Sequence, residues 1–286
     1  DGHPGHSHEY PLMPPDSFSI YEYLAIFAAV GFASGFVSGF FGIGGGFVRV
    51  PLFLLLFPYL VVHGELVMHV AVATSLALGI PSGIISLRRR MASGTFDGEY
   101  FRGWAVGLCV GTLIGTALFP YMPSLAMKVL YVIVLLMFAV YFGLVPDNLV
   151  ISRELPRGLV RFFISGGISS YVVMTGVGGG SANTFAMKAS SMPLQQAMTI
   201  GTASALIINV VGSVGCMLSG WNQPDLPWWN FGFVDGMVFL AMVPGIVLAS
   251  AWGTQMSLGM DKKIFKKAYA GFLAIITAYM IYNLVG

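Results

Sequence analysis

Charge is what this sequence has least of. Asp, Glu, Lys and Arg make up 9% of its 286 residues, against about 25% in an ordinary soluble chain. With 56% hydrophobic residues, that excludes a soluble globular domain and places most of the chain in lipid. A net charge of +2, with no basic patch outside short loops, gives no footing for nucleic acid. Cysteine is nearly missing. Cys109 and Cys216 both fall inside apolar runs, where a cysteine is a small buried hydrophobe, so no disulfide is expected. The period-two alternation of a membrane barrel is missing too, because the apolar runs are continuous and longer than a strand of about 10 residues. No carboxylate pair, metal cluster or nucleophile with its base occurs within those runs, so neither an enzyme nor a cofactor is expected. Residues 1–19 carry no basic signal pattern and read as a solvated tail. His3, His6 and His8 in that tail could catch a metal ion, but no zinc-site spacing follows them.

What is present is a series of apolar runs: 20–41, 66–87, 104–122, 126–146, 159–177, 195–218, 231–253 and 264–285. Each is close to the roughly 20 helical residues that cross a bilayer. The expected fold is an all-α polytopic membrane protein.

Two glycine clusters interrupt it. "FFGIGGGFVRVPLF", Phe40 to Phe53, and "TGVGGGSANTFAMK", Thr175 to Lys188, carry the same Gly-x-Gly-Gly-Gly run, displaced by 134 positions. Each is followed by a helix bearing small hydroxyl residues, "VAVATSLALGIPSG" and then "MTIGTASALIINVVG". Two matches in the same order point to a duplication. The domain reading is a first repeat over 20–146, a linker over 147–158 and a second repeat over 159–286.

The basic residues set the orientation, because Lys and Arg collect in cytoplasmic loops. With eight crossings, Arg88 to Arg90 and Arg102 could not share a side with Lys262, Lys263, Lys266 and Lys267. If the short segments 47–62 and 181–192 also carry the chain across, each half has five segments. Those groups and Arg153, Arg157 and Arg161 then all face the cytoplasm, 11 of the 14 basic residues. Both termini fall outside. An odd number of segments per half makes the second repeat upside down, a plan that recurs in secondary transporters with the substrate at the repeat interface. Twelve helical residues rise only about 18 Å, so the second short segment is expected to be tilted, part-extended or re-entrant.

The glycine runs fit neither the dinucleotide fingerprint, since Phe47 and Ser181 occupy its last glycine position, nor a P-loop. They fit a helix break. Pro51 suits the first turn of a new helix, so one helix is expected to end near Gly42 and the next to start near Arg49. The new helix start offers unpaired N–H groups and a positive dipole end to an anion, and irregular backbone at membrane depth is tolerated where it lines a polar cavity. The candidate substrate-binding residues are Gly44, Gly45, Gly46, Arg49, Thr74 and Ser75 in the first half. In the second they are Gly178, Gly179, Gly180, Ser181, Asn183, Thr202, Ser204 and Asn209. Arg49 either reaches the anion or snorkels to the cytoplasmic interface, and the sequence leaves both open. Lys188 reads as an interfacial lysine. His69 and Glu65 are candidates for a coupling proton, against a satisfied helix-end histidine and an exterior loop. Gly111 and Gly115 read as packing glycines.

"GFVSGFFGIGGGFVRVPLFLLL", "VAVATSLALGIPSG", the basic loop after it and the second "GVGGG" together resemble the TauE/SafE sulfite exporter family, over nearly the whole chain from about Tyr23. The resemblance implies an inner-membrane permease for a small sulfur-containing anion, such as sulfite, sulfoacetate or another organosulfonate. It further implies drive by an ion gradient, with a proton or sodium as coupling ion; a homodimer stays open. Gly44 to Gly46, Gly178 to Gly180, Thr74 and Ser75 match the family's motifs. Arg49 stands where an apolar residue is expected, and "SANTFAMK" replaces an apolar, proline-containing stretch. The alternatives are a metal-cation permease using the histidine tail and a non-transporting membrane scaffold.

Overall fold

The computed structural model describes residues 19–41, 45–62, 64–92, 94, 96–144, 155–258, 260 and 262–285. The histidine tail, Gly44 and most of the expected linker lie outside the described residues.

Helix α1, Ile20–Phe41, opens on a reciprocal cap: Glu22 N–H donates to Ser19 Oγ at 3.2 Å, and Ser19 N–H to Glu22 Oε2 at 2.9 Å. The chain then breaks, and α2 runs Gly46–Leu60. It begins a turn earlier than expected, which moves Pro51 into the second turn. A proline there cannot donate to the carbonyl four residues back. Tyr131 supplies the missing donor, its hydroxyl reaching Phe47 O at 3.3 Å and Gly46 O at 3.2 Å. Next come α3, Leu66–Met91, and α4, Gly98–Leu118, which ends in a short 3-10 turn; α5, Ser124–Leu144, completes the first half.

The second half repeats the order. Helix α6, Gly158–Thr175, stops at Gly176, whose φ of +69° is the left-handed cap that glycine adopts without strain. Helix α7, Gly179–Ala189, follows the break, then α8, Leu194–Ser219. A small hairpin of β1, Asn230–Phe231, and β2, Val234–Asp235, leads into α9, Gly236–Leu258, and α10, Lys262–Val285. Six of these helices are long and apolar enough to cross a membrane. At 15 and 11 residues, α2 and α7 rise about 22 and 16 Å, less than the roughly 30 Å of a bilayer core.

Glycine seams hold the halves together. A Cβ on Gly31, Gly35 or Gly39 would come within 2.5, 2.7 and 2.2 Å of backbone atoms of Met242, Ile246 and Ser250, so α1 and α9 run parallel in close contact. The counterpart seam sets Gly107, Gly111 and Gly115 of α4 against Phe162, Gly166 and Ser170 of α6, also parallel. This is small-residue packing, which lets van der Waals contact replace a hydrophobic drive that lipid does not provide. The third helices, α3 and α8, cross antiparallel, Gly79 lying on Asn209 and Gly83 on Leu206. Exchanging the halves leaves this pattern unchanged.

The basic groups gather at one end. Arg89 donates to Gln255 at 3.1 Å, joining the end of α3 to the end of α9. Arg161, at the start of α6, sits over the Tyr100 ring at the start of α4, 5.7 Å from its centroid. The hairpin occupies the opposite end, where Phe233 stacks on His69 at 5.3 Å near the start of α3. Asp235, fully buried, caps α9 by accepting from Val238 N–H at 2.8 Å, and its second oxygen accepts from Trp229 at 3.2 Å.

Candidate functional site

The two glycine breaks meet. A Cβ on Gly46 would fall 2.0 Å from Gly176 O and 2.9 Å from Gly178 N, so only glycine allows the first turn of α2 to rest on the end of α6. Beside this contact lies a small cavity of about 10 Å³, lined by residues of both halves, among them Gly45, Gly46, Arg49, Ser75, Gly178, Gly179 and Asn209. Neither repeat forms it alone.

Arg49 is 0% exposed, so its side chain turns inward and does not snorkel. Its Nη1 donates to Ser75 O at 3.2 Å and its Nη2 to Ser82 Oγ at 3.3 Å, while Nε has no partner. Among the described residues no carboxylate pairs with it. Burial strips a cation of its hydration and is tolerated when an opposite charge replaces the lost water. Gly45 makes room for the guanidinium, since a Cβ there would lie 2.4 Å from Cζ. The Asn209 amide, 6% exposed, makes no hydrogen bond among the described residues and faces the same space. Helix α7 points its N-terminal glycines, Gly178 and Gly179, into the cavity. Donors therefore converge there.

The other sequence candidates lie elsewhere. Thr202 lines a small adjoining cavity with Ser82, Ser86 and Asn209. Thr74 Oγ1 accepts from Asp235 N–H at 2.9 Å and ties α3 to the hairpin. Ser181 and Ser204 donate to carbonyls of their own segments, Gly178 at 2.7 Å and Ile200 at 2.8 Å. Asn183 donates to Gly179 O and accepts from Trp104 Nε1, both at 2.7 Å, so it joins α7 to α4. Gly180 packs against Gly201, where a Cβ would meet its carbonyl at 2.6 Å. His69 lies between Phe119 and Phe233 at the hairpin end, with Nδ1 3.4 Å from Glu65 O, and Glu65 is exposed. Lys188 is half-buried in the last turn of α7.

Gly79, Gly176 and Ser82 were not among the candidate substrate-binding residues, although Gly176 opens the second glycine run. Ser82 had a signal, seven residues after Ser75 and so on the same helical face. Gly79 had none, because its purpose is to admit Asn209 from the other repeat: a Cβ there would lie 2.1 Å from the amide nitrogen.

Known proteins bear on this arrangement. The family model described as sulfite exporter TauE/SafE matches residues 27–280. A probable membrane transporter protein of Haemophilus influenzae is 25% identical over 267 residues, covering 91% of this chain and 99% of its own. One from Methanocaldococcus jannaschii is 22% identical, covering 90% and 95%, and one from Bacillus subtilis 24%, covering 90% and 97%. No solved structure matches the chain. With its membrane-length helices and a family match over most of its length, the chain belongs to the sulfite exporter TauE/SafE family and is a multi-pass membrane transporter.

Proposed function

We propose that this transporter carries a small sulfur-containing anion, such as sulfite or a sulfoacetate-like organosulfonate, by alternating access between two inverted repeats of five segments. The observation that carries the reading is Arg49, a fully buried guanidinium without a carboxylate partner among the described residues, in a cavity that both repeats enclose. A tetrahedral or pyramidal oxyanion matches a fork of N–H donors, and Asn209 and the start of α7 add donors without adding charge. The site binds firmly enough to desolvate the anion and keeps few enough cations to release it. A buried arginine at this point repels a metal cation, which weighs against the cation-permease alternative.

The antiparallel crossing of α3 and α8 and the paired glycine seams support the inverted plan. Rocking one repeat against the other would open the shared cavity to each side in turn. The positive-inside rule puts the basic end in the cytoplasm, both termini outside and the protein in a cell membrane. Proteoliposomes loaded with sulfite, sulfoacetate or taurine test the reading: uptake or efflux of at least one, lost in Arg49→Gln, is expected. Equal transport by the wild type and Arg49→Gln would remove Arg49 from the site.

A further inference from the structure

The hairpin covers the candidate site from the end opposite the basic groups. Its Phe233, 1% exposed, packs on His69 of α3 and on Phe119, with ring centroids 5.3 and 5.7 Å away. Phe233 N–H donates to Cys216 O at 3.4 Å, and Gly220 makes room for the ring, since a Cβ there would lie 2.6 Å from it. Two residues on, Asp235 N–H donates to Thr74 Oγ1 at 2.9 Å. Thr74 adjoins Ser75, whose carbonyl holds Arg49. From the start of α3 at Leu66 to Thr74 the helix rises about 12 Å, so the hairpin reaches well inward and stops one residue short of the site.

Asp235 is 0% exposed. Its carboxylate accepts from Val238 N–H and Trp229 Nε1, and no Lys, Arg or His pairs with it among the described residues. The titratable groups on the elements around it are the Tyr23 phenol of α1, His69 of α3 and the Cys216 thiol of α8. The first turn of α9 carries none, and Asp225 in the preceding loop is exposed. A carboxylate taken out of water without a counter-ion favours its protonated form. Asp235 lies in the hairpin, outside the membrane-spanning helices, and burial pushes its carboxyl up to about 6 against the opposing pull of its N–H donors. Capping α9 requires an acceptor oxygen but no charge, because Asn caps as well as Asp.

We propose that Asp235 is a proton site, and that the hairpin shuts the outer end of the transport pathway when this carboxyl has taken a proton from the outer water. The inference rests on the alternating-access reading and adds to it an outer gate worked by a proton. An open hairpin returns Asp235 to water, where a carboxyl titrates at about 4. The buried carboxyl binds the proton more tightly than the hydrated one, so proton binding favours closure. That bias is full below about pH 4 and is lost as the pH rises through about 6, where the ionised carboxylate is drawn back to water.

Two readings on the full-length protein test this, and neither needs a transported substrate. In proteoliposomes, difference infrared spectra between about pH 5 and about pH 7.5 should show a protonated-carboxyl band that is missing in Asp235→Asn, a variant that keeps the capping oxygen. Trp229→Phe removes a donor to the ionised form and should move the midpoint of that band to higher pH. In intact cells carrying Cys109→Ala, Cys216 is the lone thiol, on the same face of α8 as Gly220 and so beneath Phe233. Its modification by an impermeant methanethiosulfonate is read as a ratio to the Asp235→Asn variant at the same pH, which cancels the titration of the thiol itself. The ratio is expected to fall about tenfold from about pH 7.5 to about pH 5. A band that persists in Asp235→Asn, a ratio independent of pH, or a Cys216 unreactive at both would overturn the proposal. Should Asp235→Asn fail to fold, the Trp229→Phe midpoint decides, and no shift overturns it. If no sulfur anion is carried but both readings hold, the substrate reading fails and the proton site stands. If Arg49→Gln abolishes transport but the band persists in Asp235→Asn, only the proton site fails.

Discussion

At Arg49 the chain accepts a buried guanidinium that two neutral oxygens only partly satisfy. Such a group destabilises the empty protein, and on the proposed reading the transported anion offsets that cost. Arg49→Gln is therefore expected to weaken anion affinity by about 10- to 100-fold, the roughly 1.5–3 kcal/mol of a charge-assisted hydrogen bond. It should also leave the melting temperature of the ligand-free protein unchanged or higher. Transport KM together with thermal unfolding checks both, and a lowered melting temperature would mark Arg49 as structural. Asn209→Ala removes neutral donors, so a smaller loss of about 2- to 10-fold is expected in the same assay. The sequence offered both residues as candidates but could not choose between an inward and a snorkelling Arg49. That depends on which way the first turn of α2 faces, and the contact of Gly46 with Gly176 decides it.

At the scale of elements, the break before α2 depends on a partnership between distant positions. Tyr131→Phe leaves the carbonyls of Gly46 and Phe47 without that hydroxyl in a buried setting, at a cost of about 1–3 kcal/mol. Pro51→Ala restores the N–H that can donate to Phe47 O. The double variant is expected to recover part of the loss, a coupling readable from thermal unfolding; strictly additive losses would discard this account of Tyr131. Gly46→Ala forces α2 off the end of α6 and is expected to cost about 1–3 kcal/mol as an overpacked contact, with loss of transport. The two breaks were legible because glycine runs disfavour helix wherever they occur. The helix start at Gly46 was not, since proline placement alone puts it nearer Arg49 and the correcting hydroxyl lies 84 residues further along the chain from Phe47.

For the whole molecule, the shared position of the basic groups makes a sided prediction. Lys262→Cys should label from the cytoplasmic face and Gln223→Cys from the outer face of intact cells, using an impermeant maleimide. Labelling of both from the same side would refute the inverted plan. Composition and run length alone settled that this is a polytopic helical membrane protein with two interrupted halves, because lipid requires every spanning segment to satisfy its own backbone and so writes its demands locally. The same residue types, however, serve three purposes here. Gly31 seals a seam, Gly79 admits an amide and Gly176 ends a helix; Thr74 binds the hairpin and Ser204 its own helix, while Ser75 faces the cavity. Sequence fixes neither the rotation of a helix about its axis nor its partner in the other repeat. Only the tertiary structure decided which polar groups surround Arg49, because two come from a neighbouring helix of its own half and Gly178, Gly179 and Asn209 come from the other half, more than a hundred residues away.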